Sequence, residues 1–238
     1  MKRILGAVLI LCSFSAVGFA QSGERTVEES YLQESLETMI IREQAYADSK
    51  DMKLVALQYI RQAVTEGRMN QEIARALEYL ATETTMTVVR EGGVGRILNN
   101  YPDVRREAAL LLGEFKTVEA KTALLRVALS DNEPMVIAAA LRSLGKVGMN
   151  DNDDVTQAIA FIVNRFDILM PDNSLAFESL VALEALADAQ GGLKDPAAIR
   201  AIIRIADGNY INPVKQKARD LLTKLRKASA SSSSSGGK

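Results

Sequence analysis

The sequence contains no histidine and no tryptophan, and it has a single cysteine, Cys12. Without an imidazole the chain cannot build a Ser-His-Asp or Cys-His catalytic group, and it lacks the ligands of most zinc sites. Aromatic residues make up only 5% of the 238 residues, so a large core must consist mainly of Leu, Ile, Val, Ala and Met. That composition favours packed helices over a β-sandwich.

The first 20 residues have the pattern of an export signal. Lys2 and Arg3 precede an apolar run from Ile4 to Ala20, which ends with small residues at the positions that a signal peptidase reads. We predict cleavage after Ala20 and a periplasmic mature protein without cysteine, which folds without disulfides. An uncleaved membrane anchor and a lipidated Cys12 remain open alternatives.

The charge is nearly balanced overall but uneven along the chain. Removing Lys2 and Arg3 changes the net charge from −1 to −3, which argues against a nucleic-acid binder. Residues 151–188 carry a net charge of −7, and residues 194–227 carry +6. In an elongated fold these blocks would form separate patches, whereas in a compact fold they would partly neutralise each other.

The apolar residues recur at helical spacing from residue 26 onward. Thr26 and Glu29 form a capping-box pattern that predicts a helix from about Val27 to Ala47. Two further amphipathic segments follow, and we interpret 26–100 as an N-terminal helical region of degenerate repeats. The glycine-rich stretch 91–96 lacks the Lys-Ser/Thr ending of a phosphate loop and has no β-rich run before it, so it predicts a helix break.

A repeat begins after Tyr101. The pattern Pro102, Val104, Ala108, Leu112 and Gly113 recurs 32 residues later as Pro134, Val136, Ala140, Leu144 and Gly145. Each copy also contains a pair of alanines, Ala108-Ala109 and Ala139-Ala140. Looser copies follow around 182–187 and 213–222, and predicted second helices at about 118–129, 155–166 and 196–206 lie between the copies. Such an interval with two helices is typical of a stacked helical solenoid.

These motifs resemble the HEAT-repeat family, particularly the HEAT-like repeats also found in phycobilisome lyases. The match includes Asp103, Val104 and Arg105, which stand at the family's turn Asp and Val-Arg pair, and the Leu-Gly endings at Gly113 and Gly145, where the glycine would tolerate a left-handed turn. The resemblance implies an all-α protein with a right-handed α-solenoid at 101–227, preceded by an N-terminal helix. Such solenoids mostly bind other proteins.

The candidate binding residues are basic side chains of the predicted second helices and an apolar run between helices. In HEAT-like proteins the second helices tend to line the concave surface. The candidates are Lys121, Arg126, Arg165, Ile168, Leu169, Met170, Arg200 and Arg204. Ile168–Met170 would either contact a partner or fold back onto the core. The acidic run 151–154 lacks the Gly and Glu of a calcium loop, so we interpret it as the cap of a helix that begins near Val155.

We therefore predict an exported, non-catalytic scaffold of the bacterial envelope that binds other proteins and needs no cofactor or metal. The alternative is an enzyme or enzyme accessory of the lyase-like type, which would have to use carboxylate, lysine or tyrosine chemistry. A lesser alternative is attachment to anionic lipid through the basic residues near the C-terminus, which are Lys215, Lys217, Arg219, Lys224, Arg226 and Lys227. The Ser/Gly segment 228–238 predicts a disordered tail.

Overall fold

The computed structural model describes residues 26–82, 87–91, 94–98 and 101–235. These ranges contain ten α-helices and one β-hairpin. The helices are α1 (Val27–Ala45), α2 (Lys50–Thr65), α3 (Gln71–Thr82), α4 (Pro102–Leu112), α5 (Val118–Ser130), α6 (Pro134–Val147), α7 (Asp154–Leu169), α8 (Asn173–Gln190), α9 (Pro196–Asp207) and α10 (Asn212–Ser235). The predicted export signal lies outside the described residues.

The helices stack in two layers. The first layer consists of α2, α4, α6, α8 and α10, and the second layer consists of α1, α3, α5, α7 and α9. Across the described ranges, the substantial helix contacts join elements that are one or two positions apart in this helix order. This arrangement confirms the predicted all-α, HEAT-like solenoid, and α1 joins the stack through contacts with α2 and α3.

A β-hairpin interrupts the helices where the sequence predicts a break. Strand β1 (Thr87–Glu91) pairs antiparallel with β2 (Val94–Leu98), with Val88 opposite Ile97. The expectation that no β-rich run precedes the glycines was wrong, because Thr87-Val88-Val89 is such a run. Branched residues at these positions favour an extended backbone over a helix.

The first layer packs closely because small residues lie at the helix crossings. A Cβ atom added to Gly145 would lie 2.7 Å from the Cα atom of Ala182 on α8. On the other side of α6, a Cβ atom added to Gly113 would lie 2.6 Å from the Cβ atom of Ser143. These distances are too short for real carbon contacts, so glycine is what lets the backbones approach.

The prediction that Gly113 and Gly145 allow left-handed turns was wrong. Gly113 ends α4 with a φ of −64°, and Gly145 lies inside α6. The left-handed residue that ends α6 is Gly148, with a φ of 75°. The repeated glycine therefore serves helix packing, and the turn uses a different residue.

A buried ion pair ties α4 to the turn after α5. Nε of Arg105 lies 2.7 Å from Oδ2 of Asp131, and both side chains are more than 90% buried. Asp131 also accepts a hydrogen bond from the backbone N–H of Glu133, at the start of α6. The turn aspartate that pairs with Arg105 is thus Asp131, whereas Asp103, which the sequence suggested, pairs with Lys50 at the surface at 2.7 Å.

The start of α7 is capped by an amide together with one carboxylate of the acidic run, since Oδ1 of Asp154 accepts a hydrogen bond from the backbone N–H of Val155 at 2.8 Å. Oδ1 of Asn150 accepts hydrogen bonds from the backbone N–H groups of Val155 and Thr156, at 3.1 and 3.0 Å. Asp153 stands at the N-cap position, but its side chain makes no capping hydrogen bond. The acidic run therefore marks the correct helix start and takes part in the cap through Asp154, while Asn150, which the sequence analysis did not name, accepts two of the hydrogen bonds.

The chain continues as a helix into the predicted tail. Helix α10 extends to Ser235, so residues 228–235 are helical, contrary to the expected disorder, and residues 236–238 lie outside the described range. Alanine and serine both tolerate a helix, and residues 228–235 contain no glycine. No helix within the described ranges is both long and apolar enough to span a bilayer.

We expect Gly145→Ala to lower the free energy of unfolding by about 1–3 kcal/mol, the usual cost of overpacking a core. Alanine favours a helix over glycine by about 1 kcal/mol, so a stability loss would reflect the clash with the α8 backbone. Urea denaturation followed by circular dichroism measures this difference. Gly67→Ala is the comparison for backbone strain without a clash, because Gly67 has a φ of 74° and no atom within 4 Å of an added Cβ. A free energy of unfolding for Gly145→Ala that equals or exceeds that of the wild type would contradict the packing role.

Candidate binding surface

The outward side of the second layer is formed by α5, α7 and α9. Each helix buries one apolar face against the first layer, with Leu124, Ile159 and Ile202 fully buried. The residues on the opposite face of each helix are therefore free to contact solvent or a partner. We call this surface the second-layer face and define it by Arg126, Leu129, Phe161, Arg165, Ile168, Arg200, Ile203 and Arg204.

Large apolar side chains lie exposed on this face. Phe161 is 56% exposed, and Ile168, two turns further along α7, is 75% exposed. Ile203 on α9 is 44% exposed and lies between Arg200 and Arg204 in the sequence. Exposed aromatic and aliphatic residues next to arginines have the composition of a protein-binding surface.

The four arginines of the second-layer face have different surroundings. Arg126 pairs with Glu78 on α3 at 3.0 Å, and Arg165 donates to Oδ1 of Asn132 at 3.3 Å. Arg204 pairs with Asp167 at 3.3 Å. Arg200 is exposed, and no described residue forms an ion pair or hydrogen bond with its guanidinium group. It is thus the arginine of this face that is most available to an external carboxylate.

Asp167 holds Arg204 in place through a small network. The hydroxyl group of Tyr210, just before α10, donates to Oδ1 of Asp167 at 3.1 Å, while Arg204 contacts Oδ2. Burial and the adjacent charge of Asp167 raise the pKa of Tyr210 far above its usual value of 10.0. The tyrosine therefore stays protonated and keeps donating to the carboxylate.

Lys121 lies apart from this face. Its side chain is buried, and Nζ lies 2.7 Å from carboxylate oxygens of both Asp151 and Asp154. Hydrogen bonds to Asp151 and Asp154 raise the pKa of Lys121, so it stays charged. This lysine joins α5 to the start of α7 and is not positioned to contact a partner.

The apolar run 168–170 lies at the end of α7. Helix α7 extends through Leu169, so only residues 170–172 connect it to α8. Ile168 and Met170 are 75% and 71% exposed, which agrees with the contact alternative and not with folding back onto the core. The side chain of Leu169 lies outside the described part of the structure.

The acidic and basic blocks of the sequence lie side by side in the structure. Glu184 on α8 accepts hydrogen bonds from Lys217 and Lys224 on α10. Lys224 also pairs with Asp188 at 2.7 Å. The two blocks therefore partly neutralise each other across α8 and α10, so the separate acidic and basic zones expected for an elongated fold are reduced.

A shallow groove of about 380 Å³ lies on the opposite side of the molecule, along α4, α6 and α8. Its charged residues are mostly paired, since Arg142 contacts Glu178 at 3.1 Å and Lys146 contacts Glu114. Arg106 also lines the groove, and no described residue forms an ion pair with it. Neither the groove nor any other part of the described ranges contains a group of three acidic side chains that could hold a metal ion. The groove lacks the exposed aromatic centre of the second-layer face.

Three apolar residues of this face, Phe161, Leu129 and Ile203, are not among the candidates that the sequence suggested. They fall within the predicted second helices, and the structure places them on the outward side. Their spacing carried the signal, because Phe161 is one helical turn from Arg165 and Ile203 is one turn from Arg200. Apolar residues that share a helix face with arginine are expected at the surface.

The two-layer stack and its exposed side define the protein as an α-solenoid of helix pairs. Residues 96–166 match the family model of HEAT repeats, a segment that includes α4, α5, α6 and most of α7. The chain therefore carries HEAT repeats, which confirms the resemblance based on the two copies at 102–113 and 134–145. No curated protein matches the chain significantly.

We expect the contribution of Glu184 to stability to depend on pH. The hydrogen bond from Lys217 lowers the pKa of Glu184 below its ordinary value of 4.5. The ionised carboxylate of Glu184 thus contributes its full stabilisation above pH 4.5, and this stabilisation is lost as the pH falls through the lowered pKa. Near neutral pH, Glu184→Gln should lower the free energy of unfolding by at most about 1 kcal/mol.

Thermal unfolding of both proteins over a series of pH values measures this effect. The difference in Tm between wild type and Glu184→Gln should shrink to zero well below pH 4.5. Glu34→Gln is the matched control, because Glu34 is exposed beyond the first turn of α1 and no described residue pairs with its carboxylate. A Glu184→Gln difference that is constant across this range would contradict the ion-pair contribution.

Proposed function

We propose that this protein is an exported, non-catalytic scaffold of the bacterial envelope that binds another protein through the second-layer face. The observation that carries the proposal is the exposed group of Phe161, Ile168 and Ile203 beside arginines on a HEAT-repeat solenoid. The partner should present carboxylates around an apolar centre, because such a surface complements both parts of this face.

The rigid support behind the face favours binding. The helices that present it are anchored by fully buried residues, such as Leu124 on α5 and Ile202 on α9. Arg204 and Arg126 are already oriented by Asp167 and Glu78. A surface that is ordered before contact loses less conformational entropy when a partner docks.

The absence of histidine from the whole sequence supports a non-catalytic role. The acids and lysines that an enzyme would need are engaged with each other at several places, as in the group of Lys121, Asp151 and Asp154. Such pairs stabilise the helix stack. The lyase-type enzyme accessory remains the alternative proposal, with the repeat resemblance as its support.

Membrane attachment through the basic C-terminal residues is a second candidate. Of the six bases, Lys217 and Lys224 are paired with Glu184 or Asp188 on α8. Within the described structure, the bases left without such partners are Lys215, Arg219, Arg226 and Lys227. The reduced number of available charges favours the protein-binding proposal, since each contributes only about 1 kcal/mol near an anionic surface.

We expect the double variant Phe161→Ser, Arg200→Glu to reduce partner recovery about tenfold or more, because truncating interface anchors costs about 2 kcal/mol or more. The measurement is crosslinking in the native envelope followed by quantitative mass spectrometry. Neither substitution removes a described ion pair or a buried side chain, so the fold should persist. Circular dichroism checks this point.

Arg106→Glu is the matched control for this experiment. It reverses an exposed charge on the first layer, on the other side of the molecule from the second-layer face. We expect its partner recovery to equal that of the wild type. If Arg106→Glu lost the partner while the double variant recovered it fully, the binding surface would be the first-layer groove and not the second-layer face.

Export has its own test. Intact mass measurement of the protein from the periplasmic fraction should give a chain that begins at Gln21. Ala20→Arg should block cleavage, because signal peptidase requires a small residue before the cleaved bond. A wild-type protein that keeps Met1 in the cytoplasmic fraction would contradict the export proposal.

A further inference from the structure

The N-terminal end of the solenoid exposes an apolar stripe on α1. Leu32, Leu36 and Met39 are 60%, 55% and 55% exposed. Their spacing of four and three residues places them on one side of α1, whereas Ile41 and Ala45 on the opposite side are buried against the stack. Neither α2 nor α3, the helices that contact α1 substantially, covers this stripe.

Acidic residues flank the stripe. Glu28 and Glu43 are exposed on the same side of α1, and no described residue pairs with either carboxylate. Glu37 differs, because it faces the stack and pairs with Arg68. We call Glu28, Leu32, Leu36, Met39 and Glu43 the N-terminal end face. It is apolar along its centre and negatively charged at both ends.

The C-terminal end of the solenoid has the opposite charge. Lys217 and Lys224 on α10 reach back to α8, so the opposite side of α10 does not contact α8. Along that side lie the exposed Arg219 and Arg226, together with Lys215 and Leu222, which are half-buried, and Leu222 packs against the core. We call these four residues the C-terminal end face. The side chains of Lys215, Arg219 and Arg226 form no ion pair within the described residues.

The two end faces match in pattern as well as in charge. Leu32, Leu36, Met39 and Glu43 follow intervals of four, three and four residues, and the C-terminal end face follows the same intervals. This is the spacing with which two helices pack along a shared seam. The aliphatic stems of lysine and arginine can cover leucine side chains while their charged ends reach carboxylates.

We propose that the N-terminal end face binds a second copy of this chain, with α10 of one copy packed against α1 of the next. Contact between two α1 helices would bring the Glu28 and Glu43 carboxylates of both copies together, and like charges disfavour that dimer. Contact between α1 and α10 pairs acids with bases. The assembly then always keeps one free end of each kind, so it grows as an open row.

The first test is the molar mass in solution over a range of concentrations, measured by light scattering on the protein in the form that cells accumulate. We expect a mass that rises with concentration through successive multiples of the monomer. The association should weaken as salt rises, because the end faces carry opposite charges. A protein that stays monomeric at about 100 µM and low salt would overturn the proposal, since specific protein contacts are commonly tighter than this concentration.

Variants of each end distinguish a row from a symmetric dimer. Leu32→Ser with Leu36→Ser disables the N-terminal end face, and Arg219→Glu with Arg226→Glu disables the C-terminal end face. Each double variant alone should associate at least about tenfold more weakly than wild type. An equimolar mixture of the two should form a heterodimer and stop there, because only one competent face of each kind remains.

Further variants control for folding and for charge. Arg106→Glu lies on the first-layer groove and should associate like wild type. Adding Glu28→Lys and Glu43→Lys to the Arg219→Glu, Arg226→Glu chain should restore association, because the charges of both end faces are then exchanged. All the substituted side chains are exposed, so circular dichroism should be unchanged.

Three other results would overturn the proposal. A dimer that is lost in the α1 variant but kept in the α10 variant would show a symmetric contact between α1 helices. Equal association of both variants and the wild type would place the contact elsewhere. A monomer that binds vesicles containing anionic phosphatidylglycerol through Arg219 and Arg226 would assign the C-terminal end face to the membrane. None of these results changes the test of the second-layer face, which uses Phe161 and Arg200.

Discussion

Close approach between neighbouring helices of the first layer is the constraint on which the rest of the structure depends. The α6 backbone lies so near α8 that a Cβ atom at Gly145 would meet the Cα atom of Ala182. The preceding step of the stack, between α4 and α6, brings Gly113 against Ser143. A solenoid has no shared centre, so each helix must gain its stability from its neighbours. Small residues at the crossings let buried leucines and alanines on both sides come into contact, and this fixes the spacing at which the second-layer helices are presented.

Ion pairs then follow the same steps along the first layer. Lys50 contacts Asp103 between α2 and α4, Lys146 contacts Glu114 between α4 and α6, and Arg142 contacts Glu178 between α6 and α8. The last step, between α8 and α10, uses Glu184 with Lys217 and Lys224. Each exposed pair contributes little free energy. Their common direction nevertheless means that charges which form blocks in the sequence are largely paired between adjacent helices.

The sequence predicts the helix stack well, because the interval between two copies of a repeat directly gives the interval between successive first-layer helices. The copies at 102–113 and 134–145 predict first-layer helices that the structure contains, and the capping box at Thr26 and Glu29 is present with both hydrogen bonds. Contacts between repeats are less predictable, because they depend on the relative rotation of two helices. Neither Lys121 beside Asp151 nor Gly145 against Ala182 follows from periodicity alone. For the same reason the sequence identified the arginines of the second-layer face but not Phe161, whose outward position depends on which side of α7 is buried.

The side and the ends of a solenoid are different surfaces, and this separates two proposed activities. The second-layer face lies along the length of the stack, whereas the end faces lie on α1 and α10. A row built through the ends would leave Phe161 and Arg200 of every copy exposed, so the same docking surface would recur at the interval of one chain length. A partner with two matching sites could then bind two copies at once, and the high effective concentration would raise its affinity without any new contact. A weak individual site on the second-layer face is therefore compatible with tight binding, provided that the spacing of the copies matches the spacing of the sites on the partner.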